Sequence, residues 1–96
     1  MAAVRRLVLD VLKPHDPPLL EFTSRVADLG SVAGATSSLV ERDQEVQNVK
    51  LTVEGEDVDV GSINERIEGL GGTVHSTDEA ACGDVVVEER RTHQDR

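Results

Sequence analysis

Four residues carry the types from which a reactive or ligand-binding cluster could be made: Asp10, Lys13, His15 and, far along the chain, His75. A carboxylate, an amine and two imidazoles within reach of one another would bind a metal or an anion, or serve as general acid and base. No nucleophile, oxyanion hole or orienting third group accompanies them in the sequence. The plainer alternative is an exposed loop histidine, a strand histidine with its hydrogen bonds met, and an Asp10 paired with Lys13 or an arginine.

A second set is wholly acidic. Glu41, Asp43 and Glu45 alternate, and alternate residues of a strand point to one side. The three could therefore converge on a hard divalent cation, and calcium, which accepts several oxygen ligands in irregular geometry, suits such a set. A solvated acidic surface is the competing explanation. Asp57, Asp59 and Glu68 match three ligand positions of an EF-hand loop, but Ser62 stands where that loop needs glycine, and Gly61 stands where it needs a side-chain oxygen. That match is accidental. Lys13, Arg5 and Arg6 offer a third, cationic possibility, a site for an anion.

The single cysteine, Cys82, excludes an internal disulfide and any multi-cysteine metal site, which points to the cytoplasm. Its nearest charges in sequence, Glu79 and Asp84, would not activate a thiolate, so it is read as a small hydrophobe.

The elements that would position these residues follow from periodicity. Residues 4–12 alternate as a strand, with Leu7, Leu9 and Val11 on one face and Arg6, Val8, Asp10 and Leu12 on the other. Asp16 followed by Pro17 reads as the cap and first position of a helix whose apolar stripe is Leu19, Phe22, Val26 and Leu29. Residues 35–43 and 47–54 read as two further strands, the second carrying Val49, Leu51 and Val53 on one face. A second helix over 60–70, capped by Asp59 or alternatively by Ser62, presents Val60, Ile63, Ile67 and Leu70 and stops at Gly71 and Gly72. Residues 73–81 form a weaker fourth strand, and 85–87 a short fifth strand or a contact with a neighbour. Residues 1–87 make one domain, and the polar stretch 88–96 is expected to be disordered.

The order β-α-β-β-α-β with two similarly striped helices predicts the ferredoxin-like α+β fold: a four-stranded antiparallel sheet in order 4-1-3-2 with both helices on one face. The helix-free face would then mix Arg6, Val8, Asp10 and Leu12 with Lys50, Thr52 and Glu54. Val8 and Leu12 are more apolar than a purely solvated face requires, which points to an interface through Arg6, Val8 and Leu12 and hence to a homo-oligomer.

The opening RRLVLDVLKPH, the third strand NVKLTVEG and the close GGTVHSTDEAACG resemble an archaeal family, the domain of unknown function 211 proteins. The resemblance spans roughly residues 4–87 and implies a ferredoxin-like fold in small proteins that tend to form ring-like homo-oligomers. It implies no activity. Thr77, Ala80 and Ala81 stand where the family usually carries bulkier apolar residues.

Composition sets the remaining bounds. A net charge of −9, with eight arginines and only Lys13 and Lys50 as lysines, suggests a surface kept soluble at high salt, as in a salt-accumulating halophile. An ordinary acidic protein is the alternative. Nucleic acid is excluded as a partner on two grounds: binding it needs cationic contacts, and single-stranded RNA needs stacking aromatics, whereas Phe22 is the only aromatic residue. No apolar run approaches the ~20 residues of a membrane span, and no secretory leader is evident at the N-terminus. The functional expectation is a cytoplasmic, self-associating binding or regulatory module that takes a divalent cation. The rival is a small metal-dependent enzyme with a site between subunits built on Asp10, His15 and His75.

Overall fold

A computed structural model describes residues 1–88. The chain runs β1 (Val4–Pro14), α1 (Leu19–Ala27), β2 (Gly34–Arg42), β3 (Val46–Glu54), α2 (Val60–Gly69) and β4 (Thr73–Cys82). The strands form one antiparallel sheet in the order β2-β3-β1-β4, the ferredoxin-like arrangement. β1 is central and the longest strand, at 11 residues, and its alternation decides what each face becomes. Leu7, Leu9 and Val11 enter one core with Leu51 and Val53 of β3, Phe22 and Val26 of α1, and Ile63 and Ile67 of α2. Both helices therefore cover the same face of the sheet. Each of these side chains contributes roughly 1.5–3 kcal/mol by leaving water.

The helix ends refine the sequence reading. Asp16 does not cap α1; Pro18 is the N-cap, extended at φ −62° and ψ 160°, without a side-chain hydrogen bond. A residue before proline is pushed out of the helical region, so Pro18 holds Pro17 outside the helix and the first turn begins two residues late. The far end of α1 stops at Ala27, short of the expected Leu29, although Leu29 still packs against the core. Asp59 caps α2 as expected, accepting a bond from the Ser62 N–H at 3.3 Å. At the other end of α2 the Gly72 N–H donates to the Ile67 carbonyl and the Gly71 N–H to that of Glu68, with Gly71 at φ +90°. This is the paired-bond stop that favours glycine at its left-handed position. Residues 85–87 do not form a fifth strand. Of the tail expected from 88 onward, Glu88 is placed by Arg6, and residues 89–96 lie outside the described residues.

Candidate functional site

The two ends of β1 gather different chemistry. At its C-terminal end Lys13 continues the helix-facing row of Leu7, Leu9 and Val11 and is fully buried. Its ammonium donates to the Pro14 carbonyl at 2.7 Å and to Gln47 Oε1 at 2.9 Å. Among the described residues no carboxylate lies within salt-bridge distance of it. Burial lowers its pKa, opposed by the more distant charge of Asp16. His15 Nε2 lies 3.0 Å from the Asp43 carbonyl and ties the loop after β1 to the β2–β3 turn. A carbonyl only accepts, so Nε2 carries the proton in that bond. The Asp43 carboxylate closes the turn, accepting from the N–H groups of Val46 and Glu45 at 2.9 and 3.0 Å, and these bonds hold its pKa below the usual carboxylate value.

At the N-terminal end of β1 the open face carries one cation among three anions. Arg6 bonds Glu54 of β3 at 2.7 Å, Glu79 of β4 at 3.2 Å and Glu88 at 3.0 Å. Its neighbour Arg5 is spent on backbone, donating to the carbonyls of Gly55, Gly83 and Asp84. Between Arg6 and Asp10, Val8 is only 7% exposed, and Leu12 further along the row is half-buried.

With this geometry in place, comparison with known proteins settles the lineage. Residues 5–96 match the domain of unknown function 211 (DUF211) family, described as uncharacterized ArCR. The chain belongs to this family. It is also 45% identical over 96 residues to an uncharacterized protein of the archaeon Methanocaldococcus jannaschii, a match covering 100% of this chain and 99% of that one.

In this DUF211 chain the cluster Asp10, Lys13, His15 and His75 is not brought together. Asp10 belongs to the open-face row, where it accepts from the Asn48 side-chain amide, whereas Lys13 continues the buried row, so the sheet separates them. His75 is exposed and sits at an irregular step of the β1–β4 ladder, between Ser76 opposite Asp10 and Val74 opposite Val11. A metal enzyme built on Asp10, His15 and His75 would have to assemble its site across subunits.

Glu41, Asp43 and Glu45 also fail to converge within one chain. Strand alternation ends at Arg42, so Asp43 and Glu45 lie in the turn, and a bulge between Leu39 and Glu41 further offsets Glu41. Among the described residues no group of three His, Cys, Asp or Glu side chains is placed to hold a metal ion. The proposed anion set is likewise divided, because Arg5 and Arg6 lie at the opposite end of β1 from Lys13.

Surface grooves are found among the described residues. One is lined by Ala33, Gly34, Ala35, Thr36, Thr52 and Glu54, another by Asp43, Gln44, Glu45 and Val46. Neither is lined by Asp10, Lys13, His15 or His75.

Sequence reasoning missed the Arg6 cluster, although part of it was accessible. The strand order and alternation already put Arg6 and Glu54 on one face, and the register sets them directly opposite. The contact with Glu88, 82 residues away, has no signature in local pattern. Both candidate sites that include Lys13 need an accessible amine, yet Lys13 follows Leu7, Leu9 and Val11 at the two-residue spacing that marks a buried row.

Proposed function

We propose that this protein is a non-enzymatic binding or regulatory module that works as a homo-oligomer, with the open face of its sheet as the contact surface. The observation that carries this reading is the division of β1. One side of the strand is sealed by two helices, while the other, with no helix over it, leaves Leu12 half-buried among charged residues, next to a Val8 already buried within the chain. Apolar side chains placed among charges on an uncovered sheet face mark a surface that gains by being covered. The outer strand β2 exposes apolar side chains as well, Leu39 and Val40 at 41% and 60%, although Leu39, opposite Val49, belongs to the helix-facing row. β2 and β4 are also edge strands, whose unpaired backbone groups invite a neighbour.

A divalent cation enters this reading as a ligand of the assembly. One chain does not gather three carboxylates, so calcium would take Glu41, Asp43 and Glu45 from adjoining subunits, each adding the one or two oxygens it can present. Light scattering in potassium chloride, with chelator and then with added calcium, tests both parts. The expected result is a mass above that of one chain which chelator lowers and calcium restores. A constant oligomeric mass would remove the cation and leave the module; a constant single-chain mass would remove self-association.

A further inference from the structure

We propose that residues 83–88 form a clasp over the open sheet face, latched by Arg5 and Arg6, which a second copy of this chain must displace to dock there. The proposal rests on the reading of that face as the self-association surface, and it adds a device that regulates access to it.

The path of the chain after β4 shows the clasp. Gly83, at φ +108°, turns the backbone into a conformation that favours glycine, and its N–H donates to the Ala3 carbonyl at 2.8 Å. Arg5 Nη1 then holds the carbonyls of Gly83 and Asp84 at 3.2 and 2.8 Å. Arg6 takes the far end, its two terminal nitrogens meeting the two Glu88 oxygens at 3.4 and 3.0 Å. Because Leu7 faces the core, Arg6 emerges on the helix-free side, so Glu88 is drawn onto that face. Between the two anchors Val86 is half-buried, whereas Val85 and Val87 are 70% and 84% exposed.

The chemistry of the latch suits release. Its ion pair is exposed, hence weak and readily screened by salt. Releasing Glu88 does not orphan the guanidinium, because Glu54 and Glu79 remain bonded to it. The three carboxylates around one cation repel one another, which favours giving one of them up.

Backbone relaxation measured by NMR on the full chain, over concentrations spanning its association, reads the clasp directly. Light scattering on the same samples reads the assembly. Glu88→Gln is the test variant. Glu79→Gln is the control, since it removes a carboxylate from the same cluster and leaves the clasp. The expected result at low salt is that residues 85–88 of the wild type and of Glu79→Gln are nearly as ordered as β4. In Glu88→Gln they become mobile, and the association constant rises several-fold in that variant alone. Equal mobility of 85–88 in the wild type and Glu88→Gln would overturn the clasp. An equal rise in association in both variants would reduce the effect to net charge and overturn the competition. A wild type that stays a single chain throughout would sink the assembly reading and the competition with it, while relaxation still decides whether the segment is latched.

Discussion

Lys13 occupies the environment least suited to its type: a fully buried ammonium bonded to a carbonyl and a neutral amide oxygen. Burial lowers its folded-state pKa below the ordinary 10.5 that the unfolded chain retains. Between those two values the unfolded chain holds a proton that the folded chain has lost, so folding stability rises as pH increases through that window. Urea midpoints measured from neutral pH upward should show this rise, and Lys13→Met should abolish it. At neutral pH the same variant should change stability by no more than about 2 kcal/mol, since relief of a buried charge offsets the two lost hydrogen bonds. At this scale the sequence was only partly legible. Residue types named Asp10, His15 and His75 as candidates, but their partners, the Asn48 amide and the Asp43 carbonyl among them, depend on cross-strand register and turn geometry. Spacing along the chain does not carry that information.

The elements were legible wherever a period or a cap was strong. β1 and β3 follow from alternation, and α2 from its stripe and the Asp59 cap. Asp59→Ala should cost about 1 kcal/mol. Ser62→Ala, which removes the alternative capping residue, should stay within about 0.5 kcal/mol, because only the Ser62 backbone N–H takes part in the cap. Equal losses in urea unfolding of the two variants would contradict this assignment. Gly71→Ala forces a Cβ into the left-handed region at φ +90° and should cost about 1–2 kcal/mol with an unchanged denaturant slope. The start of α1 was misread because two adjacent prolines outweigh a good capping residue ahead of them. The acidic set does not converge within one chain for a related reason: strand alternation ends at Arg42 and does not carry into the turn that holds Asp43 and Glu45.

The described residues measure 39 × 36 × 19 Å, a slab of one sheet and one helix layer. Its architecture follows from element order and stripe, because two amphipathic helices in a β-α-β-β-α-β chain find a single sheet face to cover. On the proposed reading the other face acts between chains, where neither a motif nor a pocket of one chain would reveal it. The account places self-association there, with Leu12 as the half-buried apolar residue beyond the Arg6 cluster and residues 83–88 as the competing cover. The most direct test is the solution mass of the wild type beside Leu12→Glu, measured by light scattering in potassium chloride, with circular dichroism confirming that both are folded. The account predicts a wild-type mass that is a multiple of 10.4 kDa and a shift toward the single chain in Leu12→Glu. A folded Leu12→Glu with the wild type's oligomeric mass, or a wild type of 10.4 kDa at every concentration, would contradict it.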